Sequence, residues 1–214
     1  MPLLKLCVIA VLLSFSYRIF ERVLGVISKP QERYTIYYWG AAMIGGSLLW
    51  SNGYTFNAPQ DVMRVLPLFL IILLVNLIIS RSSGYNPVGT YNTVNFVLCF
   101  PIFEEIAFRG LVLPILAQHP GLGQLHATGI IDVSGAILLT AFLFAVSHLQ
   151  YYRLNRESIR FMLFALSAGI SFGLIAQVTE SLVLTIPLHI AFNGSAVWYQ
   201  KKSHSSSTEP APLP

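Results

Sequence analysis

The chain has 214 residues, of which 55% are hydrophobic and 10% charged, with a formal net charge of +4. That balance lies outside the soluble globular range and describes one membrane domain. The basic residues are scattered between apolar runs, with no basic stretch interleaved with aromatics, which excludes a nucleic-acid partner.

In chain order, seven apolar segments approach the roughly 17 to 25 residues that a crossing helix needs. They run from about Leu3 to Tyr17, Tyr34 to Trp50, Val62 to Ser80, Tyr91 to Gln118, Ile130 to Leu149, Ile159 to Gln177 and Ser181 to Tyr199. The fold class expected is therefore all-α, a polytopic bundle of about seven transmembrane helices. The first segment is short for a span and resembles a signal peptide. It lacks a small-residue cleavage site and is interrupted by Tyr17-Arg18, so an uncleaved first span is expected. Turn-rich connectors such as Ser51-Asn52-Gly53 and His119-Pro120-Gly121 mark segment ends. Pro67, Pro101, Pro114 and Pro187 fall inside segments, and Pro101 and Pro187 stand shortly before polar motif residues, where local unwinding is expected. Cys7 and Cys99 both lie in apolar segments and read as small buried hydrophobes rather than a disulfide.

Basic residues retain loops in the cytosol. Arg18, Arg22, Lys29 and Arg33 follow the first segment, Arg81 the third, Arg153, Arg156 and Arg160 the fifth, and Lys201 and Lys202 the seventh, against Lys5 and Arg64 on the other side. The expectation is a multi-pass protein of the cell (inner) membrane with the N-terminus outside and the C-terminus cytosolic. Residues 1–202 form its membrane domain, and 203–214, rich in Ser and Pro, form a disordered tail.

Three polar constellations interrupt the apolar runs. The fourth segment contains Glu104-Glu105-x-x-x-Arg109. Helical spacing pairs Glu105 with Arg109 in the favourable orientation and leaves Glu104 about 100° away, the freer base. Two carboxylates at membrane depth cost about 2.5 to 3.5 kcal/mol each on insertion scales, so they require a role. The bland alternative is a structural ion pair beside one snorkelling acid. The fifth segment ends in Phe144-x-x-x-His148, where a histidine can equally cap or face the interface. The seventh carries His189-x-x-x-Asn193, two hydrogen-bonding groups on one face, which can equally glue helices together. Taken jointly, one carboxylate and one imidazole can hold and deprotonate a water, while a second imidazole and an amide can donate to an oxyanion. No G-x-S-x-G, H-E-x-x-H or P-loop pattern offers another chemistry.

These three motifs, in this order on successive apolar segments, resemble the CAAX protease and bacteriocin-processing (CPBP, abortive-infection) family of glutamic intramembrane endopeptidases. The resemblance covers about Phe100 to Asn193. It implies an active site in a cavity between helices, with the catalytic core at about 91–199. Glu104 would be the general base, His148 would help bind the hydrolytic water, and His189 and Asn193 would form the oxyanion hole. Glu105, Arg109 and Phe144 would support them. It implies no cofactor and no metal, and as partners the lipid bilayer and a membrane-associated peptide or protein, prenylated or a precursor. Three alternatives stay open: a zinc protease using His148, His189 and Glu104, a non-catalytic bacteriocin-immunity or binding protein, and a proton-coupled carrier. His148 near the cytosolic end of its segment and His189 near mid-membrane predict a cavity reaching from the bilayer centre to the cytosolic face.

Overall fold

The computed structural model describes residues 2–27, 29, 33–50, 52–82, 87–127, 132–151 and 153–206. Helices α1 (Leu3–Ser14) and α2 (Ser16–Ile27) meet at Phe15 with a 53° bend. Helix α3 (Thr35–Leu49) follows, and then α4 (Val62–Ile79), which ends in a 3₁₀ turn, Ser80–Ser82. The helix bearing the glutamates, α5, runs unbroken through five stretches. These are Gly89–Val94, a π-helical Asn95–Cys99, Phe100–Glu105, a second π-helical Ile106–Val112, and Leu113–Ala117. After the single turn α6 (Pro120–Gly123), strands β1 (Leu125–Ala127) and β2 (Asp132–Ser134) pair antiparallel, Leu125 opposite Ser134. Helix α7 (Gly135–Ser147) closes with a 3₁₀ turn, His148–Gln150, and α8 (Arg156–Thr179) and α9 (Thr185–Ser206) complete the bundle.

The second half of α5 is the axis of the fold. Every residue from Ile106 to Leu116 is buried, and the cluster they form takes in Leu6 and Ala10 of α1, Trp39 and Met43 of α3, and Ile137 and Phe144 of α7. A smaller cluster joins Val65 and Ile72 of α4 to Phe172 and Ile175 of α8 and Leu188 of α9. Helices α7 and α8 form the most extensive pair. A Cβ on Gly169 would stand 2.9 Å from the Cβ of Ala141, so glycine lets the two backbones approach, as small residues do in membrane helix pairs.

Large apolar side chains also point outward on most helices, among them Leu4, Leu49, Leu74, Phe142, Leu163 and Trp198. Such a surface fits lipid rather than water. By length and composition, Val62–Ser82 and Ser158–Thr179 can cross a membrane, and the bent pair α1–α2 makes a third if it counts as one span. This is fewer than the seven segments read from the sequence. One reason is that α3 and α7, at 15 and 13 residues, fall below the roughly 17 that a crossing needs.

Four local expectations are corrected. The first segment does not end in a loop at Tyr17; Arg18 and Arg22 continue as helix α2. Ser14 and Ser16 turn their hydroxyls onto Ala10 O and Leu13 O, and such back-bonding bends helices. The fifth helix starts at Gly135 rather than Ile130, because Asp132–Ser134 pairs as a strand and the Ser134 hydroxyl then caps the helix by accepting from Ile137 N. The seventh starts at Thr185, since Ser181 is held in a turn with its hydroxyl on Asn57 O. It runs to Ser206, past the boundary expected at 202; residues 207–214 lie outside the described residues. Finally, Pro187 does not unwind its helix. Pro187 is the third residue of α9, in the first turn, where no intrahelical N–H is needed. Pro101 follows directly on the first π stretch, whose wider turn accommodates a ring that would otherwise meet the carbonyl of residue 97.

One end of the bundle is closed by the connection from α3 to α4. Pro114 has no N–H to offer Gly110, and Tyr54 N donates to that carbonyl instead, at 3.4 Å. Gln60 N donates to Thr179 O at 2.9 Å. The connection is packed closely enough that burial, with Glu180 adding to it, pushes the Tyr54 hydroxyl up to about 12.

Candidate active site

Helical spacing brings Glu105 and Arg109 together as expected: Arg109 Nη1 donates to Glu105 Oε1 at 3.0 Å, with both side chains wholly buried. The guanidinium is also held between aromatic faces, 4.3 Å from the ring centroid of Phe144 and 5.5 Å from that of Phe172. Among the described residues, Arg109 Nε and Nη2 have no hydrogen-bond acceptor. The ring faces are what offset their desolvation.

The same Glu105 oxygen receives a second donor. His189 Nδ1 lies 3.0 Å from Glu105 Oε1, and because a carboxylate can only accept, Nδ1 carries the proton. This fixes the ring so that Nε2 faces Glu104, with Nε2 to Glu104 Oε2 at 3.8 Å. Phe144 and Phe172 flank the imidazole, with centroids 6.2 and 5.9 Å away. The spacing along the chain pairs Glu105 with Arg109 alone. Its hold on His189, 84 residues later, is a contact that only the fold supplies.

His148 sits on the 3₁₀ turn after α7, and its Nδ1 lies 2.8 Å from Phe144 O. Carbonyls in the last turn of a helix lack intrahelical partners, and only an N–H can bond one, so Nδ1 is the protonated nitrogen. In a neutral ring with that tautomer, Nε2 carries the lone pair. Phe144, edge-on to this ring at 5.0 Å, thus touches Arg109, His148 and His189. On α9, Asn193 lies one helical turn beyond His189 and donates through Nδ2 to Phe96 O at 2.8 Å. Phe96 belongs to the first π stretch, where the widened turn leaves a carbonyl open to an outside donor. One N–H of the Asn193 amide stays uncommitted by that bond.

Glu104, Phe144, His148, His189 and Asn193 all line one cavity of about 670 Å³ between α4, α5, α7, α8 and α9. Glu105 and Arg109 do not line it; they stand behind it. Among the described residues, no three His, Cys, Asp or Glu side chains are grouped closely enough to hold a metal ion.

A family model described as type II CAAX prenyl endopeptidase Rce1-like matches residues 86–195, just over half of the chain and the whole of the motif-bearing region. The chain belongs to that family. No curated protein and no solved structure matches it. As an Rce1-like family member with an apolar, helical fold, it is an integral membrane peptidase of the CAAX protease group. All three sequence motifs fall inside the matched region.

Proposed function

We propose that this chain hydrolyses a peptide bond of a membrane-associated, prenyl-bearing peptide through a water activated by Glu104 and His148. The observation that carries this reading is the convergence of Glu104, His148, His189 and Asn193, from three separate helices, on one largely apolar cavity. In the proposed reaction, water is held between the Glu104 carboxylate and the Nε2 lone pair of His148. Glu104 takes its proton as the oxygen attacks the scissile carbonyl. The developing oxyanion accepts from Asn193 Nδ2 and, with His189 as imidazolium, from its Nε2–H, since Nδ1–H is already given to Glu105. The carbon–nitrogen bond then breaks, Glu104 returns the proton to the leaving amine, and two peptides result.

The same reading treats the basic edge of the molecule as cytosolic and the apolar helices as crossings. Two neighbouring pairs among the basic segments support this reading. Arg81 lies 5.1 Å over the ring of Tyr199, close to Lys201, and Gln150 at the start of the Arg153 connection bonds Arg18 N. The cavity lining extends to Ser82, Tyr151 and Arg153 on that edge. A lipid-tethered peptide would thus present its bond from the cytosolic leaflet.

The test is cleavage by purified protein of prenylated and unprenylated peptides, with products identified by mass spectrometry. Hydrolysis that persists in EDTA and phenanthroline supports direct activation by Glu104. Complete loss with chelator, restored by zinc, would overturn the metal-free route in favour of zinc held by Glu104, His148 and His189.

A further inference from the structure

Helix α4 is apolar from Val65 to Ile79 except at Asn76. A buried amide on such a helix is ordinarily glue to a neighbour, and one end of this amide is: Asn76 Nδ2 donates to Leu188 O at 3.2 Å and so ties α4 to α9 beside His189. A carbonyl can only accept, so this bond fixes the orientation of the amide and leaves Oδ1 as its other end. Asn76 is 8% exposed and lines the same cavity as His189 and Asn193. Among the described residues nothing donates to Oδ1, and Oδ1 is not one of the polar atoms sealed in the interior without a partner, so it opens onto the cavity. Glue between helices accounts for the Nδ2 end alone.

A peptide that enters a largely apolar cavity brings N–H donors as well as carbonyl acceptors, and each must be met there. The groups assigned so far serve only one side of that need. His189 Nε2 and Asn193 Nδ2 donate to the scissile carbonyl, while Glu104 and His148 hold the water. Ser167 and Ser171, also in the wall, turn their hydroxyls back onto Leu163 O and Ser167 O within α8. Asn76 Oδ1 is a neutral acceptor with no such commitment. In an extended chain the N–H and C=O of one residue point to the same side, as in the paired residues of an antiparallel ladder. A scissile carbonyl turned toward α9 therefore turns the N–H of its own residue the same way, toward the amide that is bonded to α9 at Leu188. We propose that Asn76 is a substrate-binding residue, whose Oδ1 accepts from the backbone N–H of the residue that supplies the scissile carbonyl. This rests on the peptidase reading of the same cavity. It binds main chain alone, so it sets the register of the peptide without regard to side chains.

The experiment uses the full chain in phosphatidylcholine nanodiscs and a set of fluorescent prenylated peptides of one sequence, in each of which a single backbone N–H is replaced by an ester oxygen. The cleaved bond is located by mass spectrometry. Affinity is read in the Glu104→Gln background, which slows turnover, and kcat/KM with Glu104 present. With Asn76 in place, the ester at the residue supplying the scissile carbonyl should lower kcat/KM about three- to tenfold, the worth of one neutral hydrogen bond. The ester at the residue before it, whose N–H points the other way, should not. In Asn76→Leu the first loss should shrink to near one. Equal kcat/KM for the all-amide peptide and the first ester would overturn the proposal, as would a loss centred on another N–H or one that survives Asn76→Leu. A fall in Asn76→Leu that is equal for every peptide would also overturn it, and would leave Asn76 as glue between α4 and α9. Should Asn76→Leu fail to fold, Asn76→Ala in the same comparison decides. An Asn76-dependent loss of affinity at one N–H, with hydrolysis of no peptide, would uphold the amide site and overturn the peptidase reading. Hydrolysis of the amide and the first ester at equal rates would do the reverse.

Discussion

Glu104 and Glu105 are adjacent residues of the same type on the same helix, and the fold places them in opposite surroundings. The Glu105 side chain is wholly buried and accepts from both Arg109 and His189; that of Glu104 is 13% exposed, lines the cavity, and has His189 Nε2 at 3.8 Å. One hundred degrees of helix separates a group fixed by the protein from a group left for something else to bind. The difference teaches a division of labour. Glu105 spends its charge inside the protein, on the arginine that anchors α5 and on the imidazole that reaches across from α9, and so holds Glu104 in place without competing with it.

The largest effect should come from removing the open acid. Glu104→Gln keeps the shape of the side chain and removes the proposed base, so hydrolysis should fall about 10²- to 10⁴-fold with unchanged thermal stability. Comparable losses of rate and of Tm would erase the contrast between the two acids.

Glu105→Gln should act the other way round. It leaves Arg109 buried without its counter-charge, a loss of about 3 to 5 kcal/mol for broken buried pairs, read as a fall in Tm and in folded yield. The double variant Glu105→Gln, Arg109→Met removes the orphaned charge, and stability should recover in part. Activity should not recover, because His189 Nδ1 still lacks its carboxylate. Full recovery of activity in the double variant would show that Glu105 serves Arg109 alone.

That second partnership marks the limit of what the residues revealed by themselves. The spacing of Glu105 and Arg109 within one helix was legible, as were the two aligned polar groups of α9, because helical periodicity puts them on common faces. Which of two neighbouring acids His189 meets depends on how α9 is rotated against α5, and no local pattern encodes that. The apolar segments were visible for the same reason that outward-facing Leu74 and Leu163 are: a lipid-facing helix is apolar all round. The bend at Phe15 and the strand at Asp132–Ser134 were not visible, since each lies within or beside an apolar run where hydropathy reads straight through. The two π stretches were equally hidden; only Pro101 and Pro114, each just after one of them, gave a sign.

A smaller effect sharpens the contrast between the open end of the bundle and its closed end. A Cβ on Gly110 would collide with Thr55 Oγ1 and stand 3.3 Å from Leu182 Cδ1. Gly110→Ala should therefore displace the α3–α4 connection and cost about 1 to 3 kcal/mol, as overpacking does, while leaving the cavity side chains in place. Its Tm should fall more than its kcat, and adding Thr55→Ala should bring stability back toward that of Thr55→Ala alone. If Gly110→Ala instead abolishes activity at full stability, the closed end is coupled to the site and the two regions are not separable.

The smallest expected effect lies where the first bent helix meets the His148 turn. At Phe15 the backbone leaves helical register, and two of its polar groups are met by one side chain: Gln150 Nε2 donates to Ser14 O at 3.0 Å and Gln150 Oε1 accepts from Arg18 N at 3.1 Å. Gln150 closes the 3₁₀ turn that begins at His148, so this bridge ties the orientation of His148 to the bend. Gln150→Leu keeps most of the volume and removes both bonds, at a cost of about 0.5 to 1.5 kcal/mol for each. Part of that loss should be recovered from water, since the Arg18 end is exposed. Stability should therefore drop slightly, whereas kcat should drop several-fold with little change in KM, because a shifted imidazole misplaces the water more than the peptide. Gln150→Glu, which keeps the acceptor for Arg18 N and loses the donor to Ser14 O, should fall between the two. A Gln150→Leu protein with unaltered kcat would show that His148 is positioned by α7 and its bond to Phe144 O alone, and that the bent pair only packs beside the site.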